Sequence, residues 1–444
     1  KRSATMKEIV KAENRLTTLL EKVTQKLKTK TDEGFDFDAL GIDAIMVDES
    51  QAFKNLGVNT AMGRVKGITS TNPPTSFDMH MKTNWIHKRK GKIAFLTGTP
   101  VSNSLTEIFT LQRYLQPEYL NDNGLNEFDG WVANFAIATP SIEMSVDGKM
   151  KLVPYYSSFI NLEALRSEIG TVMDYRPVEE MGLNLPKLKG GKHRLVSVPA
   201  SEPLKRYIRE VIVKRLDAVR RGLVDQEVDN YLTVATDGRK AGLDIRLVDP
   251  SQSDNPNSKV NVAVRDIAKT YKDNLYRKGT QLVFLDLSTS VIEEKEEKEG
   301  KEAVEEEGDN SEQEDDGFTS VYLDIKNKLV LAGVPEDKVA FAQQAKGKKL
   351  DALYAKVRSG EIAILISSRK KSGVGVNVQD RVVKLTNLDV PYTPDTMEQA
   401  NARAMRQGNV FAQSDPSFEL EIVDYAVDVP SFDVVMLQKV NTKS

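Results

Sequence analysis

Two adjacent acidic residues, Asp48 and Glu49, close an apolar run in the string IMVDESQAFKN (45–55). Phosphoryl transfer from a nucleotide needs one carboxylate to hold Mg²⁺ and a second to orient the attacking water. A pair of acids at the tip of a strand can supply both. An isolated Asp-Glu pair is more often a solvated turn, so the pair indicates this chemistry only in the context of further motifs.

A second string, FLTGTPVSNSLTEIFTLQRYL (95–115), turns out of another apolar run and enters a helical pattern. Gly and Pro are the usual turn formers, so one interpretation is a plain joint between a strand and a helix. The other is a sensor loop, whose hydroxyls contact the acidic pair on one side and nucleic-acid phosphate on the other. The candidate residues of this loop are Thr97, Thr99, Ser102 and Asn103.

A third string, ILISSRKKSGVGVNVQD (364–380), places basic residues and glycines directly after an apolar run. Glycines let backbone N–H groups approach a phosphate closely, and lysines supply the charge. A short Gly-x-Gly alone is more often a simple turn. The candidate phosphate contacts in this string are Ser367, Lys370, Lys371, Gly373 and Gly375.

A fourth string, PYTPDTMEQANARAMRQGN (391–409), predicts a helix that stops at Gly408. Gln399, Arg403 and Arg406 have the spacing i, i+4 and i+7, which places them on one face of that helix. Solvated surface arginines are one interpretation. The other is a pair of arginines that reach across a cleft to a γ-phosphate, a contribution worth about 10³–10⁵ in rate.

The elements that must position the first two strings are short apolar runs that end in polar residues. Such runs are typical of buried parallel strands with functional loops at their carboxyl ends. The runs 43–48 and 92–97 predict neighbouring strands of one sheet in an α/β lobe. We assign this lobe to residues 1–200, with an insertion over about 121–180.

A second α/β lobe is predicted over 261–444, because four apolar runs alternate there with helical patterns in the βαβ arrangement of a parallel sheet. A helical linker is predicted over 201–260, since Gly, Asp and Ser are frequent in 237–258. The four predicted strands are 281–286, 339–341, 363–366 and 382–385.

Composition excludes several classes of protein. The 444 residues are 40% hydrophobic and 29% charged, which is ordinary for a globular protein, and no apolar run is long enough for a membrane span. The absence of Cys excludes disulfides, thiolate zinc sites and a cysteine nucleophile. The three dispersed His residues leave little for metal clusters or Ser-His chemistry.

The net charge of −3 conceals an acidic tract, residues 293–316, with fourteen acids and three lysines. The tract carries −11, so the rest of the chain carries +8. This composition predicts a disordered, solvated surface loop, with a nucleic-acid mimic as the alternative. The moderately basic remainder is compatible with a phosphate-rich partner.

Taken in order, the four strings resemble motifs II, III, V and VI of superfamily 2 helicases, and specifically of the SNF2-like DNA translocases. TGTPVSNSLTEIFTLQRYL and QANARAMRQGN carry the resemblance best, QLVFLDLS (281–288) resembles motif IV, and together the matches extend over most of the chain. The resemblance implies two RecA-like lobes, with ATP and Mg²⁺ in the cleft and double-stranded DNA across the top.

The same resemblance implies roles for single residues. Asp48 would hold Mg²⁺ and Glu49 would orient water, while Arg403, Arg406 and Gln399 would approach the nucleotide from the second lobe. Gln51, Gly373 and Gly375 would also lie at the nucleotide. The residues implied to contact DNA phosphate or to couple the lobes are Thr97, Thr99, Ser102, Asn103, Ser367, Lys370 and Lys371.

More narrowly, several strings resemble the helicase half of very large phage and mobile-element proteins, including antirestriction proteins of the defence-against-restriction type. These strings are TGTPVSNS, LPKLK, DGRKAGLDIRL, DNPNSKV, TQLVFLDLS and GVNVQDRVVKLTNLDVPYTPDTMEQANARAMRQGN. The resemblance implies a larger polypeptide, in which an N6-adenine DNA methylase often precedes the helicase. It also implies a place in the host cytoplasm and allows packaging in the phage virion.

Two departures from the family pattern leave ATPase activity open. None of the five Gly-Lys pairs of the chain is followed by Ser or Thr, as a phosphate-binding Walker A loop requires, so we expect that loop upstream of Lys1. Gln51 stands where the family usually has His, which leaves its coupling role open. The alternative function is a catalytically inactive, helicase-like DNA-binding protein or virion structural protein.

Overall fold

The computed structural model describes Thr17 and residues 37–61, 73–101, 107–144, 150–225, 228–288, 320–372, 377–391 and 394–428. Four candidate residues, Ser102, Asn103, Gly373 and Gly375, and the acidic tract 293–316 lie outside the described residues. The chain divides into two compact units. The first comprises Lys1–Ser141 and Val153–Asp174, and the second comprises Ile142–Leu152 and Tyr175–Ser444.

Two parallel strands organise the first unit, β1 (Ala44–Val47) and β2 (Lys92–Phe95). Helix α1 (Pro74–Lys88) connects them and packs with α2 (Glu107–Leu115), which follows β2. Gly91 makes the tight entry into β2, where a Cβ atom would collide with the carbonyl oxygen of Asp43. The parallel register brings the carboxyl ends of the two strands to one edge, as the sequence predicted.

An aromatic core fills the remainder of the first unit. Trp131 is fully buried, its indole N–H donates to Oε1 of Gln112 (2.7 Å), and its ring packs against Phe109. A buried N–H with a partner is the condition under which tryptophan stabilises a core. The helices here are α3 (Pro117–Asp122), α4 (Phe128–Phe135) and α5 (Leu162–Gly170). The paired strands β3 (Ala136–Met144) and β4 (Met150–Phe159) also begin and end here, but their residues 142–144 and 150–152 fall in the second unit.

The second unit is built on a seven-stranded parallel sheet. Its strands are β5 (Lys187–Leu188), β6 (Arg194–Pro199), β7 (Thr280–Phe284), β8 (Val339–Phe341), β9 (Ile364–Ser367), β10 (Val382–Asn387) and β11 (Glu419–Asp428). The order runs β8, β9, β7, β10, β11, and both β5 and β6 pair with the outer edge of β11. This arrangement confirms the predicted α/β class with a parallel sheet.

Helices cover both faces of this sheet, as a parallel sheet requires. Side chains of β7 alternate between two cores: Val283 packs on the face of α9 and α10, and Leu282 and Phe284 on the face of α11 and α13. The helices are α6 (Glu202–Tyr207), α7 (Val213–Arg221), α8 (Tyr231–Leu243), α9 (Lys259–Asp273), α10 (Val321–Leu331), α11 (Lys348–Ser359), α12 (Arg369–Ser372), α13 (Pro394–Ala404) and α14 (Val410–Ser414).

The structure differs from the predicted boundaries in two places. Strand β6 was assigned to a first lobe ending at residue 200, but it pairs with β11 from Val423 to Asp428 and is part of the second unit. The segment 237–258, interpreted as a linker, begins inside α8, where Gly238 and Gly242 are buried. Small residues here allow close helix packing, which local composition alone does not distinguish from a flexible linker.

No helix among the described residues has the length and apolar character needed to cross a membrane.

Candidate functional site

The acidic pair lies at the carboxyl edge of the first unit's sheet. Asp48 directly follows β1 and is exposed, and its Oδ1 accepts the backbone N–H of Glu49 (2.9 Å). Glu49 is half-buried and has a left-handed backbone (φ +52°), which non-glycine residues adopt at a cost and which is frequent at functional turns. The carboxylates therefore stand at the tip of the strand, within reach of a ligand in solvent.

Gln51 links this acidic pair to the loop after β2. Its Nε2 donates to Oε2 of Glu49 (2.6 Å), and its Oε1 accepts the hydroxyl of Thr97 (2.6 Å). Thr97 Oγ1 in turn accepts the backbone N–H of Thr99 (3.0 Å). The structure thus brings four predicted residues into one chain of hydrogen bonds, and the amide of Gln51 provides the donor and the acceptor that this position needs.

Tyr114 supports the turn that follows the acidic pair, and the sequence analysis did not identify it. Its buried hydroxyl lies 3.1 Å from the carbonyl oxygen of Phe53 and 3.0 Å from that of Ser76, and it donates to these acceptors. Burial raises the pKa of Tyr114 well above its usual value. Nothing in the string that contains Tyr114 pointed to this role.

Oxygen donors at this edge suit a hard divalent cation. Asp48 is an exposed carboxylate, and Mg²⁺ is usually held by one or two carboxylates with water and phosphate completing the shell. Glu49 is its immediate neighbour but is engaged by Gln51. The residues present therefore fit a magnesium ion bound through Asp48, with Glu49 held beside it rather than on it.

In the second unit, the basic residues after β9 lie on the short helix α12. Lys370 is exposed and Lys371 is half-buried, so both are accessible to a phosphate. Ser367 is fully buried, and its Oγ lies 2.5 Å from the hydroxyl oxygen of Ser372. The predicted phosphate contact by Ser367 does not fit this burial, because its hydroxyl is already satisfied inside the unit.

Helix α13 carries the next group of predicted residues but is shorter than predicted. It ends at Ala404, so Gln399 and Arg403 share a helical face and Arg406 lies beyond the helix. Arg403 is 4% exposed, and Arg406 is half-buried and donates to Oδ1 of Asn377 (3.0 Å). The pattern i, i+4, i+7 predicted a helix that includes Arg406. The helix instead ends at Ala404, and Arg406 lies in the turn that leads to Gly408 (φ +97°).

Arg369 follows β9 at the carboxyl edge of the sheet. The sequence analysis grouped it with the neighbouring lysines as a basic residue, but it is buried. It is 2% exposed and forms ion pairs with Asp286 (2.7 Å) and Asp389 (2.5 Å). Burial alone would raise the pKa of Asp389, but the adjacent guanidinium outweighs it and keeps the pKa low. An arginine at the end of a buried strand is the only signal that the sequence carried for this cluster.

The first part of the chain is similar to a known helicase family. Residues 1–177 match the model of a family described as a probable helicase domain. This match ends close to Asp174, where the first unit ends. No protein of curated function matches the sequence.

Several solved structures are similar to the chain at low identity. The C-terminal part of the Fun30 ATPase domain is 15% identical with a TM-score of 0.38, covering 57% of this chain and 89% of that one. The E. coli DEAD-box protein SrmB, bound to the regulator of ribonuclease activity A, is 14% identical with a TM-score of 0.27, covering 42% and 80%. The DUF1998 helicase MrfA, bound to DNA and AMPPNP, gives 14% and 0.27, covering 40% and 20%. At TM-scores below 0.5 these similarities carry no information on activity.

Proposed function

We propose that the chain is an SNF2-type helicase or translocase module that hydrolyses ATP to move on double-stranded DNA. The observation that supports this most is the hydrogen-bonded chain from Glu49 through Gln51 to Thr97. It joins a carboxylate suited to orienting water with a loop suited to sensing DNA. The match of residues 1–177 to a probable helicase domain supports the same function.

In this proposal each accessible residue of the first unit has a separate task. Asp48 holds the metal, and Mg²⁺ when bound neutralises charge that develops on the transferred phosphoryl group. Glu49 accepts a hydrogen bond from the attacking water and orients it. Gln51 holds the Glu49 carboxylate in a fixed orientation. Thr97 and Thr99 connect this carboxylate to the protein loop that contacts DNA, which also includes Ser102 and Asn103.

The second unit contributes cations. Lys370 and Lys371 contact DNA phosphate, and Gly373 and Gly375 lie at the nucleotide. Arg406 is the more accessible of the two proposed arginine fingers, since Arg403 is 4% exposed. Gln399 is half-buried on α13 and assists at the nucleotide.

Exposed apolar side chains on the sheet of the first unit support the proposal that this unit has a partner. Met46 is 75% exposed and Leu96 is 48% exposed, although parallel strands are normally covered on both faces. We propose that an upstream part of the same polypeptide, which carries the Walker A loop and in phage-type relatives an N6-adenine methylase, covers this face. A place in the host cytoplasm and packaging in a virion belong to the same proposal.

One observation favours a second candidate, an inactive helicase-like DNA-binding or virion structural protein. No Gly-Lys pair in the 444 residues is followed by Ser or Thr. Without such a loop the triphosphate lacks its main backbone cradle. This candidate predicts DNA binding without turnover.

The test is the DNA-stimulated ATPase activity of the 444-residue chain and of the longest polypeptide that contains it. Glu49→Gln should lower turnover by about 10²-fold or more, because a neutral amide orients the attacking water poorly. Glu118→Gln, at an exposed position on α3, is the matched control and should leave turnover unchanged. DNA binding without turnover in both wild-type polypeptides would favour the inactive candidate.

A further inference from the structure

A buried ionic cluster joins the carboxyl ends of three strands in the second unit. The guanidinium of Arg369 donates through Nη1 to Asp286 (2.7 Å) and Asp389 (2.5 Å), and its backbone N–H donates to Oδ1 of Asp286 (2.7 Å). Asp389 Oδ2 accepts the backbone N–H groups of Asp286 (2.7 Å) and Leu287 (3.1 Å). The segments after β7, β9 and β10 are therefore tied together at one point.

The same guanidinium is connected to helix α13. Arg369 Nη2 donates to Oδ1 of Asn387 (3.1 Å), and Asn387 Nδ2 donates to Oδ1 of Asn401 (3.0 Å) on α13. Arg369 and Asn401 are 2% and 5% exposed, and Asn387 is 1% exposed, so water cannot replace these bonds easily. A continuous buried path thus leads from α12, which carries Lys370, to α13, which carries Arg403.

Burial makes this path sensitive to small movements. A buried charge that loses one partner leaves an uncompensated ion, which costs far more than the net gain from forming the pair. A displacement of α12 therefore cannot be absorbed by breaking the contacts of Arg369, and Asn387 and Asn401 must follow. Packed polar networks of this kind have few alternative arrangements.

We infer that Arg369 is a positioning residue that couples DNA contact at Lys370 and Lys371 to the position of helix α13. This inference rests on the proposed function, because it takes DNA as the ligand of α12. It adds a regulatory link within the second unit: DNA bound at α12 sets the position of α13, the helix that carries Gln399 and Arg403.

The test is hydrogen–deuterium exchange of the α13 amides in the 444-residue chain, with and without a saturating short DNA duplex. In the wild type, DNA should slow this exchange about fivefold or more, the lower end of coupling between linked sites. Arg369→Lys keeps the charge but cannot reach all of these acceptors at once, so the protection should be lost while DNA still binds. Asn401→Ala removes only the last link and tests the same path if Arg369→Lys does not fold.

Arg246→Lys is the matched control, since Arg246 is also buried and paired with carboxylates, namely Asp244, Asp254 and Asp324, none of which lies on α12 or α13. It should lower stability and retain the DNA-dependent protection. Protection of α13 that persists in folded Arg369→Lys, or wild-type DNA binding without protection, would overturn the inference and leave the proposed function standing. A wild type that does not bind DNA would overturn the proposed function itself.

Discussion

The carboxyl edges of the two sheets carry similar acidic residues, but these are accessible in the first unit and buried in the second. In the first unit, Asp48 is exposed and Glu49 is tied by a neutral amide, so the carboxylates remain accessible to a ligand. In the second unit, Asp389 is 1% exposed and each of its oxygens is already bonded. An acid that follows a buried strand is therefore a candidate site in one case and an internal tie in the other.

The same contrast separates the arginines within the second unit. Arg369 is buried in its ion pairs with two carboxylates, whereas Arg406 is half-buried and donates to the neutral amide of Asn377 (3.0 Å). A half-buried guanidinium can exchange a neutral amide for a phosphate at a lower cost than it can leave a carboxylate. One that is enclosed by two carboxylates cannot, since leaving them would expose unpaired buried charges.

The largest expected effect concerns Arg406. If it is an arginine finger, Arg406→Ala in the DNA-stimulated ATPase should lower turnover by about 10³-fold or more while DNA binding persists. The matched control is Arg358→Ala, because Arg358 also contacts Asn377, through the carbonyl oxygen (2.9 Å). Steady-state turnover checks this prediction, and equal turnover in the two variants would exclude the finger role.

A large effect on stability should distinguish the two acids of the comparison. Asp389→Ala leaves the buried Arg369 without its closest partner and should lower the free energy of unfolding by about 3–5 kcal/mol. Asp48→Ala removes an exposed carboxylate and should change it by no more than about 0.5 kcal/mol. Urea unfolding of both variants measures the difference, and similar midpoints would contradict the contrast drawn between the edges.

The sequence was sufficient to predict much of this arrangement. Apolar runs located β1, β2 and β7 to within about two residues, and the placement of Thr97 beside the acidic pair followed from parallel strands. Strand β11 was not predicted, although Leu420–Val427 is largely apolar. Its role depends on pairing with β6, more than 200 residues earlier in the chain, and local patterns do not specify such partners.

The candidate site was predictable in residue type but not in burial. The string containing Arg369 and Ser367 indicated phosphate contacts, yet both side chains are buried and form hydrogen bonds inside the unit. Conversely, Gln51 departed from the family pattern and still links Glu49 to Thr97. Which polar group faces solvent is decided by packing between distant elements, and spacing along one strand end carries no information on it.

A moderate effect of acid should separate the two units. Burial, and then the nearby charge of Arg113, lower the pKa of His80 in the first unit to about 4. The unfolded chain binds this proton near pH 6.5, so stability is complete above that pH and falls as the pH drops towards 4. The loss should be on the order of 2 kcal/mol, given that His80 is only partly buried.

In the second unit the corresponding loss should occur at lower pH. Burial would raise the pKa of Asp266, but the hydrogen bond from Lys384, followed by those from Tyr425 and Arg194, holds it at about 2. Its stabilising contribution is present above about pH 4 and is lost as the pH falls towards 2.

Fluorescence can follow the first unit alone, because both tryptophans of the chain, Trp85 and Trp131, lie there. Urea midpoints from fluorescence should fall between about pH 6.5 and 4, and His80→Gln should remove most of this fall. Circular dichroism, to which both units contribute, should show a further loss below about pH 4. An unchanged fluorescence midpoint over that range would contradict the role of His80.

The smallest effect tests why an amide suits the link in the first unit. An imidazole introduced by Gln51→His can donate to Glu49 and accept from Thr97 only while it is neutral, because imidazolium has no acceptor. Turnover of Gln51→His should therefore approach the wild-type value at about pH 8 and fall about fourfold relative to it by about pH 6. Gln51→Ala, which has neither group, should be slow at both values. Parallel pH profiles for Gln51→His and the wild type would mean that the Thr97 hydroxyl does not need this acceptor, and the link would then act through Glu49 alone.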